Sequence, residues 1–232
     1  MKLIIDNIKK EFNKVEVLKG IDYEFESGKI YGLLGRNGAG KTTLFNIIYS
    51  ELDEDEGEIY LEEDGERLEL SPREVGMVFA ETFLPDFLTG YEFIKFFTEI
   101  NEDENNLNAS QYLRDMGFNE TDMHKLIKNY SSGMKSKISL LTIVLGNQKV
   151  ILLDEPLTAV DIVMAEEIKK ILRTLKKDHV VILSTHMLDL AKDLCDEIVL
   201  LHNGLLKSFE KSDGAEMDEQ IVRALLEEEE DV

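Results

Sequence analysis

In the first eighty residues, short apolar runs with the two-residue period of half-buried strands alternate with turn signals. Ile21, Tyr23 and Phe25 follow that period up to the break at Ser27-Gly28, and Ile30 to Leu34 is a compact run suited to a buried strand. Glycines follow at once, then Lys41 to Ser50, where Leu44, Ile47 and Ile48 share one helical face. This predicts strand, loop, helix. Acid-rich strands are expected around Glu58 to Leu61 and Arg67 to Leu70, and Val75 to Phe79 reads as a central strand. From Tyr91 to Leu145 the period becomes helical, with Phe93, Phe96 and Phe97 and then Tyr112, Leu113 and Met116. Beyond it, Val150 to Leu153, Val180 to Leu183 and Ile198 to Leu201 are short apolar runs separated by helical stretches, the pattern of a parallel sheet flanked by helices. Ala215 to Glu229 forms a charged amphipathic helix candidate, with a solvated acidic tail at Glu227 to Asp231.

The expected class is α/β within a single domain, 1–232. Segments 1–80 and 146–208 form the core and its β subdomain, 81–145 an inserted helical subdomain, and 209–232 a C-terminal helix and tail. With 232 residues and 43% apolar content, one well-buried domain fits and two do not. The excess of 48 acidic over 26 basic residues gives a net charge of -22, which repels nucleic acid backbones and anionic lipid surfaces. Nucleic acid is therefore not an expected partner. Cys195 is the only cysteine, so no intrachain disulfide can form and the cytosol suits the chain. The start, Met1 to Asn7, meets Asp6 and Asn7 too early to form the apolar centre of a secretion signal. Apolar segments such as Ile138 to Leu145 fall short of the roughly 20 residues that cross a bilayer. Any membrane role is expected to come from a partner.

Gly35-Arg36-Asn37-Gly38-Ala39-Gly40-Lys41-Thr42 satisfies the G-x-x-x-x-G-K-[ST] phosphate loop. Its glycines let the backbone curl so that successive N–H groups point at one anion, and the following helix adds its positive end. Lys41 is placed to reach the β and γ phosphates, with the Thr42 hydroxyl on Mg²⁺ and Thr43 beside it. Val150 to Leu153 is an apolar strand that ends in Asp154 and Glu155. Beside a phosphate loop, Asp154 reaches the hydration shell of Mg²⁺ and Glu155 can take a proton from an attacking water. Glu155 is the expected base.

Together with Tyr130-Ser131-Ser132-Gly133-Met134, these motifs make the chain resemble the nucleotide-binding subunits of ATP-binding cassette (ABC) transporters from about Leu3 to Leu206. That pentapeptide resembles the family signature LSGGQ and precedes the apolar helix Ser132 to Leu145; a serine N-cap with glycine behind it makes an anion site. The likeness continues through Pro156-Leu157-Thr158-Ala159-Val160-Asp161, where it implies that Asp161 couples two sites across a dimer. It also gives Ser184-Thr185-His186 a γ-phosphate sensor at His186. His124, His179 and His202 are read as structural or merely exposed. Phe12 stands where the family places the aromatic that stacks on adenine.

The resemblance implies a P-loop NTPase (RecA-like) core with an N-terminal antiparallel β subdomain and an inserted helical one. It further implies ATP as substrate, bound with Mg²⁺, and a head-to-tail pairing of two copies. In that pairing Ser131 and Gly133 of one copy cap the γ phosphate held by Lys41 of the other. The partner is expected to be an integral membrane permease, with this chain peripheral on the inner face of the membrane. Two departures stand out. Ala80 replaces the family glutamine, with Glu81 one residue on, and the signature carries Ser132 and Met134 in place of glycine and glutamine. The form Ser-x-Gly-Met-Lys resembles cassettes of peptide, antibiotic and drug exporters. The rival classes are a soluble ABC protein of translation or chromosomes, which lacks support in a second cassette or coiled coil, and a catalytically weak regulatory cassette. The three phenylalanines Phe93, Phe96 and Phe97 either fill the helical subdomain or receive a coupling helix; core packing is the expectation.

Overall fold

The structure is a computed structural model that describes residues 1–80, 83–100, 108–158, 160–210 and 215–226. Glu81, Ala159 and the acidic tail from Glu227 lie outside the described residues.

Two sheets carry the fold. The first is antiparallel, in the order β2-β1-β4-β5, built from β1 (Lys2–Phe12), β2 (Val15–Glu26), β4 (Glu56–Glu63) and β5 (Glu66–Glu69). Asn13 and Lys14, at φ 50 and 69, turn β1 into β2, the left-handed pair that matches the twist of a tight hairpin. Alternation along these strands, reset by irregularities at Asn7 and Gly20 with φ 49 and 94, sends Leu3, Ile5, Ile8, Leu18, Ile21, Phe25 and Leu61 into one core.

The second sheet has the order β10-β9-β3-β8-β7-β6. Its members are β3 (Ile30–Leu34), β6 (Val75–Val78), β7 (Val150–Asp154), β8 (Val180–Thr185), β9 (Glu197–His202) and β10 (Leu205–Glu210). All neighbouring pairs are parallel except β9 with β10. β3 and β8 are buried along their whole length. Continuous apolar runs follow from having both faces covered. Each large side chain so buried contributes roughly 1.5–3 kcal/mol.

Helix α1 (Lys41–Ile48) follows β3 and buries Leu44, Phe45, Ile47 and Ile48. Between β6 and β7 lie α2 (Gly90–Ile100), α3 (Ala109–Asp115), α4 (Glu120–Met123) and α5 (Ser132–Gly146). They enclose a separate core of Ile94, Leu113, Phe118, Met123, Ile127, Tyr130, Ile138 and Leu141. Then α6 (Ile162–Leu175), α7 (Leu188–Leu194) and α8 (Ala215–Leu226) pack on the parallel sheet.

Two expectations change here. The run at Val75 forms an edge strand, pairing among the described residues with β7 alone, and not a central one. It stays apolar because Ile143 of α5 packs over Gly76. In α2 the fully buried residue is Ile94, while Phe96 is 56% exposed and Phe93 and Phe97 sit at the margin with ring centroids 5.0 Å apart. The aromatic triplet therefore borders the helical core and does not fill it.

Candidate functional site

Parallel strands deliver their C-terminal ends to one side of the sheet, and ligands of such folds gather there. β3, β8 and β7 lie side by side, so the segments after Leu34, Thr185 and Asp154 converge. A cleft of about 400 Å³ opens at that edge, lined by Asn37, Gly38, Gly40, Lys41, Thr42, Thr43, Asp154 and Glu155, with Val17 and Ala80.

The loop from Gly35 to Gly40 wraps one wall. Gly40, at φ 103, is the N-cap of α1, and a Cβ there would lie 2.9 Å from Val17 Cγ1. Only glycine meets both demands. Gly35 is buried, with Ala39 N–H donating to Arg36 O at 3.2 Å. Lys41 is 8% exposed, and its Nζ donates to Gly35 O at 2.7 Å and Arg36 O at 3.0 Å. Burial pushes the Lys41 pKa down, and the charges of Glu155 and Asp154 oppose that shift. Two fixed carboxylates thus help keep a partly desolvated ammonium charged. Thr42 is exposed in the first turn.

The opposite wall holds the acids. Successive strand residues face opposite ways, yet Asp154 and Glu155 both line the cleft. Glu155 breaks the alternation with φ 50, a left-handed conformation uncommon for glutamate. Ser184 secures it. Its hydroxyl donates to Asp154 Oδ1, while Glu155 N–H donates to both Ser184 Oγ and Ser184 O at 3.2 Å. Glu155 Oε1 then meets His186 Nδ1 at 2.7 Å, and Thr158 Oγ1 donates to Glu155 Oε2 at 3.1 Å. Both carboxylate oxygens are therefore oriented by side chains.

Lys41, Thr42, Asp154, Glu155 and His186 are thus brought together. Ser131, Gly133 and Asp161 are not among the cleft residues. Exposed Ser131 is the N-cap of α5 and accepts from Met134 N–H at 3.2 Å; exposed Asp161 is the N-cap of α6 and accepts from Val163 and Met164 N–H at 3.1 Å. Such caps stabilise a helix by about 1 kcal/mol. Tyr130 anchors the first of them. It is buried, its hydroxyl donates to Asp122 O at 2.7 Å, and burial raises its pKa to about 12. Phe12 ends β1 at 42% exposure, with Lys10 Nζ 5.7 Å from its ring, and lies outside the cleft lining. Sequence reasoning missed Val17, Thr158 and the bridging role of Ser184. A buried serine at the end of an otherwise apolar strand was the available signal for Ser184.

Residues 18–158 match the family model described as ABC transporter. Among curated relatives, a probable sulfate/thiosulfate import ATP-binding protein of Chlorella vulgaris is 32% identical, over 88% of this chain and 89% of its own. A lantibiotic transport ATP-binding protein of Streptococcus pyogenes is 28% identical over 94% of this chain and 95% of its own. A solved dimeric ATP-binding cassette in a post-hydrolysis state, bound to ADP and Pi, superposes with a TM-score of 0.75 at 21% identity, covering 91% of this chain and 100% of that one. That last likeness speaks to the fold. With a profile match across more than half its length, the phosphate loop and paired acids in one cleft and a histidine bonded to the second acid, the chain belongs to the ABC transporter family, as one of its ATP-binding ATPase subunits.

Proposed function

We propose that this subunit hydrolyses ATP in a head-to-tail pair of copies and so drives transport, in the export direction, through a separate membrane permease. Among the described residues no helix is long and apolar enough to cross a membrane, so passage of cargo is assigned to that partner and this chain to the inner membrane face. The observation that carries the reading is Glu155, poised in the Lys41 cleft with one oxygen 2.7 Å from His186.

The chemistry follows from the walls. Lys41 and the loop N–H groups hold the β and γ phosphates. Glu155 accepts the proton of the attacking water, and His186 orients that carboxylate and faces the γ phosphate. Thr42 and Asp154 suit Mg²⁺, which takes few protein oxygens and keeps waters and phosphate oxygens as its other ligands. Asp154 fits the task because Ser184 occupies only Oδ1. When bound, Mg²⁺ neutralises charge on the phosphates.

A cleft that supplies donors from one side leaves developing charge uncovered on the other. We assign that cover to Ser131 and Gly133 of the second copy, with Asp161 reaching between the two sites and Phe12 against the adenine. Export is favoured by the Ser131-x-Gly133-Met134-Lys135 form and by likeness to a lantibiotic transport protein, although an import protein is also among the relatives. Segments 1–80 with 146–208, and 81–145, serve as the catalytic core with its β subdomain and as the helical subdomain.

Glu155→Gln tests the assignment. It is expected to bind ATP, lose hydrolysis by about 10²–10⁴-fold and accumulate as a dimer on size exclusion with ATP. Undiminished phosphate release by this variant would remove Glu155 as the base.

A further inference from the structure

Two capped helix ends lie side by side in this chain, α5 opened by Ser131 and α6 by Asp161. One residue touches both. Met164 donates its backbone N–H to Asp161 Oδ1 at 3.1 Å, and its side chain packs on Gly133 so closely that a Cβ there would meet Met164 Cγ at 2.3 Å, Cβ at 3.2 Å and Sδ at 3.3 Å. Gly133 is in turn two residues from Ser131, whose Oγ accepts from Met134 N–H. A continuous path runs from the Asp161 carboxylate through Met164 and Gly133 to the Ser131 hydroxyl.

One turn further along, the two helices are tied again. Lys137 of α5, 4% exposed, is ion-paired with Glu167 of α6. Gly133 to Lys137 and Met164 to Glu167 are spacings of four and three, so both rungs lie on one face of each helix. Ser131, Asp161, Ile162 and Val163 stay exposed at the ends of this ladder.

We propose that Met164 is a positioning residue that locks the Ser131 cap and the Asp161 cap into one rigid body, and that Gly133 is required because any side chain there would collide with Met164. This rests on the reading above that Ser131 is lent to the partner copy's nucleotide. The severe contact is with Met164 Cγ at 2.3 Å, whereas Met164 Cβ at 3.2 Å need give by only a few tenths of an ångström, so trimming Met164 back to its Cβ removes most of the collision. With Met164 Cγ held where it packs, an added methyl spreads α5 from α6, tilting Ser131 relative to Asp161 while leaving Lys41, Thr42 and Glu155 in place.

The test is a rescue. In the full chain, Gly133→Ala is expected to lower kcat for ATP at least about tenfold with KM nearly unchanged, since its own phosphate loop is intact. Met164→Ala alone should lower kcat about threefold by loosening the two caps, and the double substitution should return kcat to within about threefold of Met164→Ala. Introduced into Glu155→Gln, Gly133→Ala should prevent the ATP-dependent dimer and the added Met164→Ala should restore it. Thermal melts identify a Gly133→Ala that fails to fold, and recovery of its melting temperature on adding Met164→Ala then reads the same rescue, its absence overturning the inference. A double variant as impaired as Gly133→Ala, or a Gly133→Ala with wild-type kcat, overturns the inference. Ser131→Ala separates the two levels: if it abolishes turnover while rescue fails, only the role of Met164 falls; if it retains full turnover and Gly133→Ala does too, the lent cap falls with it.

Discussion

The cleft around Lys41 and the paired ends of α5 and α6 are built on opposite plans. In the cleft, charged groups are oriented by one another: Ser184 holds Asp154 and the backbone of Glu155, while His186 and Thr158 hold the two oxygens of Glu155. At the helix ends, exposed Ser131 and Asp161 bond, among the described residues, to the first backbone N–H groups of their own helices. The first region is organised for chemistry inside one chain. The second is organised to present a surface, and its rigidity comes from the helices behind it.

The comparison breaks most visibly if the cleft residues and the cap residues act within the same copy. Lys41→Ala is expected to lower hydrolysis about 10²–10³-fold, in keeping with loss of one preorganised charge beside the phosphates. Mixing it with Ser131→Ala, also inactive, should restore about a quarter of wild-type activity, because random pairing makes half the dimers mixed and a head-to-tail arrangement leaves each of those one intact site. No recovery in a phosphate-release assay would place both residues in one copy's site. A smaller effect sharpens the first half of the contrast. Thr158→Val removes one hydrogen bond from Glu155 and should lower kcat about fivefold, with Thr158→Ser near wild type, because a net bond is worth about 1 kcal/mol. The smallest concerns Phe12. Its replacement by alanine should raise KM for ATP about threefold without changing kcat, as expected for a half-exposed stacking partner; a fall in kcat alone would remove it from base recognition.

The contrast also explains what the sequence made legible. A phosphate loop is contiguous, so Gly35 to Thr42 could be read as a unit, and its flanking strand and helix follow from apolar period. Asp154 and Glu155 were legible as acids at a strand end. What was hidden depends on register between distant strands. Ser184 bridges the acids because its Cα is paired with that of Asp154 across β7 and β8, and no local pattern encodes that pairing. Thr158 was hidden for another reason: its bond to Glu155 depends on the left-handed backbone of Glu155, which glutamate does not advertise. The position of β6 at the sheet edge was masked because α5 covers it and keeps it apolar.

The order β3-β8-β7 has one more consequence. The strand that carries Ser184 runs between the strand that leads into the phosphate loop and the strand that carries the acids, as a keystone stands between two halves of an arch. Any slip of that middle strand by a single residue would reverse its inward and outward faces and unseat Asp154, Glu155 and His186 together. Turnover in this fold is therefore sensitive to the alignment of an apolar strand that never meets the nucleotide along most of its length, and mutations that loosen it should silence hydrolysis before they melt the protein.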